Sequence, residues 1–259
     1  MLILLSPAKT LHETPPISSH WIPEPSQPFF QSEAQQWMTL LQGWDKSRLQ
    51  RDMKLSPALA EKVNGWHQHW FEAKTSMAGW TFAGDAFKSL DFPTLTMEAQ
   101  LRGQSQLRIL HGLYGVLRPM DEMRKARHEM AQTWGGKEVE QSPAQFWSMR
   151  LGAYLSNEAE TLKDGWLLNL ASTEYSVPAL RDLAPEVRVV ECSFAEIKGE
   201  RWNTVSSYTK TARGAMARYV LENNISSPDD LCAFQGLGYA HRPDRSTPNS
   251  VVFSRTSQS

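Results

Sequence analysis

The sequence predicts a single α+β domain in which a mixed sheet is surrounded by helices. Two short runs, Met1–Leu5 and Trp166–Leu170, are apolar on both faces and read as buried strands. Stripes of apolar residues at helical spacing lie between and after them. No internal repeat or low-complexity segment interrupts the chain, so its 259 residues, enough for one large domain or two small ones, are expected to form one domain spanning 1–259.

Composition narrows the partners. Twenty-seven basic side chains against 28 acidic ones leave a formal charge of −1, so a polyanion must be met by a local patch, and a general basic coat is excluded. Cys192 and Cys232 form no Cys-x-x-Cys pair, and no signal-peptide pattern accompanies them; a reduced, cytoplasmic chain is expected. No apolar run approaches the ~20 residues that span a bilayer, and no membrane partner is expected. Oligomeric state is not legible.

In chain order, Met1–Leu5 ends in Ser6-Pro-Ala-Lys-Thr10, which carries Lys9 and two hydroxyls off the end of a central strand, where sheets place ligand contacts. The plainer reading is a surface loop with an ordinary lysine. Prolines 15, 16, 23, 25 and 28 make 12–31 an extended connection. Ser32 with Gln35 reads as a helix start, followed by a stripe of Ala34, Trp37, Met38 and Leu41. Ser56-Pro57 opens another helix, whose Leu59, Val63, Trp66 and Trp70 read as core rather than stacking platforms. His67 and His69 are two apart on that helix and face different ways, so no metal is assigned. Phe82-Ala-Gly-Asp-Ala-Phe87 reads as a tight turn, either presenting Asp85 or merely using it to turn.

Leu107-Arg-Ile-Leu-His-Gly-Leu-Tyr-Gly-Val-Leu-Arg-Pro119 is the densest stretch. Leu107 and Leu110 share a helix face, and Gly112 and Gly115 bracket Leu113 and Tyr114. Arg108, Arg118, Arg124, Lys125 and Arg127 make the surroundings basic. The pattern is close to a helix-hairpin-helix over about 105–127, which would grip a nucleic-acid backbone through hairpin amides. A structural turn between packed helices is the alternative.

Ser142-Pro143 starts a helix striped by Trp147, Leu151, Tyr154, Leu155 and Leu162. The strand at Trp166–Leu170 runs into Ala171-Ser-Thr-Glu-Tyr175, so two strand ends deliver Lys9, Glu174 and Tyr175, on one rim if the strands are parallel neighbours. Val187–Glu191 and Arg201–Ser206 read as strands, then Met216, Tyr219, Val220 and Asn223 mark the inward face of a helix. Lys210 and Arg213 lie around its first turn, against the helix dipole, which favours an anion there. Val251–Phe253 reads as a last edge strand. Standard catalytic signatures and cofactor loops are missing, and no cofactor is assigned.

Met1-Leu-Ile-Leu-Leu-Ser-Pro-Ala-Lys-Thr-Leu11, Leu110-His-Gly-Leu-Tyr-Gly-Val-Leu-Arg-Pro119, Asn169-Leu-Ala-Ser-Thr-Glu-Tyr175 and Lys210-Thr-Ala-Arg-Gly214 together resemble the YaaA family of bacterial peroxide stress proteins. The resemblance implies a cytosolic α+β protein of the oxidative stress response that binds DNA through a hairpin element and a basic cleft. Lys9, Asp85, Tyr114, Arg118, Glu174, Tyr175, Lys210 and Arg213 fall on matching motif positions. His12 and Phe146-Trp-Ser-Met149 depart from the pattern. Two readings follow. In one, Arg108, Gly112, Tyr114, Gly115, Arg118, Lys210 and Arg213 hold DNA phosphates without sequence preference. In the other, an enzyme acts on a nucleotide or nucleic-acid component, with Lys9, Asp85, Glu174 and Tyr175 as catalytic candidates.

Overall fold

In the computed structural model, which describes residues 1–16, 23–133, 141–162 and 165–256, helices surround a mixed sheet. The elements are β1 (Leu2–Leu5), α1 (Gln31–Gln42), α2 (Lys46–Met53), α3 (Pro57–Gln68), β2 (Ser76–Met77), α4 (Ala78–Thr81), α5 (Asp85–Leu90) and α6 (Met97–Gln106). Then come β3 (Leu107–His111), β4 (Gly115–Leu117), β5 (Glu122–Met123), α7 (Pro143–Glu160), β6 (Trp166–Leu170) and α8 (Thr173–Leu180). The chain continues through β7 (Arg188–Lys198), β8 (Arg201–Asn203), α9 (Ser206–Glu222), β9 (Ala240–His241) and β10 (Ser250–Thr256).

The main sheet runs β4-β3-β1-β6-β7-β10-β9, with β8 also paired to β7. β1 lies between β3 and β6 and is parallel to both, so its four residues are buried on both faces, as an unbroken apolar run requires. Parallel pairing continues through β6, β7 and β10, while β4, β8 and β9 join antiparallel. The register sets Leu5 opposite Leu170, so Ser6 and Ser172 leave the sheet side by side. The expected α+β class and mixed sheet are both present.

Several sequence expectations need correction. Leu107–His111 is not a helix ending but a buried strand, because pairing with β1 buries all five residues; a short apolar run at i, i+3 spacing fits either period. The helix-hairpin-helix is therefore a β-hairpin, β3 to β4. Its turn amides do not point outward: Leu113 and Tyr114 donate their N–H groups to His111 Nδ1, at 3.0 and 3.3 Å. Gly112 lies against the backbone of His128, where a Cβ would meet the carbonyl oxygen at 2.1 Å. Gly115, at φ +67°, lies against Trp147, and Tyr114 is wholly buried, accepting from the Arg124 N–H.

The first helix begins at Gln31 with no side-chain cap from Ser32, and β8 stops at Asn203. Asn223 caps α9 from its exposed end rather than facing inward. β10 is internal, since β9 pairs along its outer side. Asp85 opens α5 rather than sitting in a loop turn, and of the 12–31 connection residues 17–22 lie outside those described. Among the described residues no helix is long and apolar enough to cross a membrane.

Arg108 and Arg118 serve the fold. Arg108, 3% exposed, pairs with Glu158 and donates to the carbonyls of Gln104, Ser105 and Leu107. Arg118 neutralises buried Asp121 at 3.0 Å and donates to the Gln27 carbonyl. Arg108→Ala is expected to cost roughly 3 kcal/mol in a denaturant melt, since it strands carbonyls and a partly buried carboxylate. Anion binding by the surviving folded protein should be unchanged. A stable variant that no longer binds would return Arg108 to the ligand site.

The core also holds three buried histidines, His67, His111 and His128. Burial lowers His67 to about 4 and His111 to about 3, and pushes His128 well down as well. The unfolded chain takes up these protons near pH 6.5, the folded chain only below those values. Stability is therefore complete above about pH 6.5 and falls as pH drops, by ~3 kcal/mol for His67 alone once pH passes below 4. Chemical denaturation at pH 7 and 4.5 should show the loss, and His67→Phe should lessen it. A flat profile would contradict neutral burial.

Candidate functional site

Four segments meet at the C-terminal edge of the parallel strands. The loop after β1 carries Lys9, and its path is fixed by Thr10, whose carbonyl accepts from the Ala83 N–H at 2.9 Å, and by the His12 N–H donating to the Thr81 carbonyl at 2.9 Å. This ties the loop to the start of α5. There Gly84 faces Ala8 so closely that a Cβ would come within 2.7 Å of the alanine Cβ. On the other side, Ser6 Oγ accepts from the Ser172 N–H at 2.8 Å, locking the loop to the start of α8 and its Glu174 and Tyr175.

α9 supplies the fourth wall. Its Gly214 packs on α5 with no room for a side chain, a Cβ there falling 1.9 Å from the Ala86 carbonyl oxygen. The contact sets Lys210 and Arg213 beside Asp85. A cavity of about 250 Å³ results, lined by Lys9, Asp85, Glu174, Tyr175, Lys210 and Arg213 among others. The structure thus brings together the six residues taken from strand ends and helix starts, and leaves Arg108, Gly112, Tyr114, Gly115 and Arg118 outside the cavity lining.

Charges in this cavity are unevenly satisfied. Lys9 reaches Glu129 at 2.9 Å, although its own side chain is 61% exposed. By contrast, Lys210, Arg213, Asp85 and Glu174 make no ion pair within 4.0 Å among the described residues. Arg213 is largely buried and its Nε has no acceptor there; burial pushes its pKa down, with Glu191 acting in the opposite direction. Glu191 itself is held by Asn169 Nδ2 at 2.8 and 2.9 Å. Tyr175 is buried, and burial first, then the charges of Glu174 and Glu129, keep its hydroxyl protonated far above the usual range.

One expectation about this site changes, and one residue is added to it. α9 begins at Ser206, so Lys210 and Arg213 lie beyond the first turn, where the dipole effect has faded. The Arg213 guanidinium, whose Nε has no acceptor among the described residues, favours an anion there instead. Glu129 was not legible as a site residue: it accepts from Arg127 at 2.8 Å and lines a small cavity of about 20 Å³ that shares Lys9 and Tyr175 with the larger one. Only its place after the basic 124–127 run could have drawn attention.

Among the described residues no cluster of His, Cys, Asp and Glu is arranged to hold a metal. Neither cysteine lies in the cavity lining. Cys192 is buried, which pushes its thiol up, and Cys232, 3.6 Å from His241 Nε2, is raised by burial and then by Asp229. Raised thiols are poor peroxide targets.

Comparison with known proteins gives a consistent result. The family described as "Peroxide stress protein YaaA" matches residues 1–245. A "UPF0246 protein" of Verminephrobacter eiseniae (strain EF01-2) is 36% identical over 265 residues, covering 99% of both chains. A protein of the same description from Polaromonas naphthalenivorans (strain CJ2) is also 36% identical, covering 98% of each.

Gly214→Ala is expected to destabilise the protein by about 2–3 kcal/mol, because a backbone carbonyl cannot move aside as a side chain can, and to weaken anion binding by widening the cleft. The control is Gly65→Ala in α3, where nothing lies within 4 Å and about 0.5–1 kcal/mol of stabilisation is expected. Equal melting shifts for the two variants would remove the close contact as a determinant.

Proposed function

The chain belongs to the peroxide stress protein YaaA family, and from that premise we propose that it serves peroxide stress by holding a phosphate-bearing nucleic-acid component in the cleft between α5, α8 and α9. The observation that carries this reading is Arg213, a largely buried guanidinium whose Nε lacks an acceptor among the described residues, in a cavity it shares with Lys210, which makes no ion pair among them either. Such a group is completed by a bidentate oxyanion. DNA held this way is bound through its backbone and without sequence preference, because the six cleft residues come from four segments and offer no row for reading base edges. The hairpin has no part in it. Two free cysteines support a reduced, cytoplasmic setting.

One observation favours a second reading, an enzyme acting on the bound nucleotide. Tyr175, its hydroxyl kept protonated by burial and by the neighbouring Glu174, lines the cleft together with that acid, a pair able to pass a proton.

Titration of single-stranded DNA at several salt concentrations tests the binding reading. Log affinity should fall against log salt with a slope of about −1 to −2, for one to three neutralised phosphates at ~0.7 each on a single strand. Lys9→Ala should weaken binding about tenfold while costing less than ~1 kcal/mol of stability, its ion pair being largely exposed on the lysine side. Salt-independent binding, or a variant that binds unchanged, would defeat the cleft reading.

A further inference from the structure

The cleft carries charges of both signs that make no ion pair among the described residues, although Glu174 accepts from the Ala131 N–H at 3.4 Å, and that combination says more about the ligand than the cations alone. A site for bare phosphate needs donors only. Here Asp85, exposed at the first position of α5, and Glu174, in the first turn of α8, line the same cavity as Lys210 and Arg213, yet among the described residues no carboxylate closes on either cation within 4.0 Å. Opposite charges that share a small cavity without pairing leave a gap for a molecule with an anionic group and a hydrogen-bond donor edge.

Three further features limit that molecule. The cavity, at about 250 Å³, is smaller than the ~300 Å³ where pockets for drug-sized ligands begin, so it admits one small unit. Backbone phosphates that followed the first into the cavity would meet the two carboxylates, so only one nucleotide of a strand enters. Finally, Phe87 and Leu170 add apolar wall beside Tyr175, which suits a flat ring rather than a sugar alone.

We propose that the cleft is a one-nucleotide pocket: Lys210 and Arg213 take the phosphate of a nucleoside monophosphate, free or at an unpaired position of a strand, and Asp85 and Glu174 accept from donors on its sugar or base. This rests on the phosphate reading above and adds the selection of a whole nucleotide over its phosphate. Duplex DNA, with its bases paired and stacked, is then a poorer ligand than a single strand.

Calorimetric titration of the full-length protein separates the cases, with inorganic phosphate, ribose 5-phosphate, phosphoethanolamine, the ribo- and deoxyribonucleoside monophosphates, and one oligonucleotide in single-stranded and duplex form. At least one nucleotide should bind about tenfold or more tightly than phosphate, ribose 5-phosphate or phosphoethanolamine. Asp85→Asn and Glu174→Gln, which keep shape and change acceptors, should each remove most of that advantage while leaving phosphate affinity equal or higher. The ribo and deoxyribo arms report which donors are read; the strand arms distinguish a free nucleotide from an unpaired one. If phosphate binds and every nucleotide binds no better, the one-nucleotide proposal falls and the anion cleft stands. If phosphate, nucleotides and strands all fail to bind, the cleft reading itself falls. Tighter binding of all ligands to both acid variants would show the carboxylates to be repulsive only, and would also overturn the proposal.

Discussion

The close approach of α9 to α5 is the constraint on which the site depends. At Gly214 the backbone of one helix lies directly on the Ala86 carbonyl of the other, and at Gly84 the start of α5 lies on Ala8 of the loop after β1. Two absent side chains thus draw three segments of distant sequence within reach of one small ligand. Any Cβ at these positions would separate walls whose value lies in their spacing, since a guanidinium moved by an ångström no longer shares an oxyanion with its neighbour. The helices are held there by the core, but the distance is set by the glycines.

The sheet fixes the remaining side. β1 is parallel to β3 and β6, so three strands end at one edge, and the Leu5–Leu170 register places the two polar exits in hydrogen-bond contact through Ser6 and Ser172. An antiparallel neighbour would have sent one exit to the opposite edge. The site is thus a property of topology: neither Ser6-Pro-Ala-Lys-Thr10 nor Ala171-Ser-Thr-Glu-Tyr175 carries a motif with chemical meaning alone, and their pairing supplies it.

That difference explains what could be read in the sequence. β1 and β6 were legible because a run apolar on both faces has few other uses, and the polar residues at their ends followed without knowledge of the fold. The turn at 112–115 misled for a physical reason. Glycines that free backbone amides for a phosphate look the same as glycines that admit a carbonyl and an indole, and only the fold shows that the His111 ring already holds the amides. Arg108 failed likewise, because a basic residue in a basic stretch gives no sign that it will be buried against Glu158, 50 residues later. Glu129 was invisible because its segment has no period and reaches the site only through contacts that the fold makes, the ion pair to Lys9 and the Ala131 N–H donating to Glu174.

The cations therefore sort by what they touch. Arg108, Arg118 and Arg124 end on carboxylates or carbonyls of the fold, and their charge is spent in holding loops and strand ends. Lys210 and Arg213 end on nothing comparable among the described residues, although carboxylates lie in the same cavity. A fold selected for stability alone would let those groups pair or replace them with apolar ones, since a desolvated, incompletely bonded charge costs free energy. The proposed ligand would relieve that cost: a molecule that supplies both an anion and donors would satisfy both sets of charges at once and stabilise the native state by an amount set by its concentration relative to its Kd.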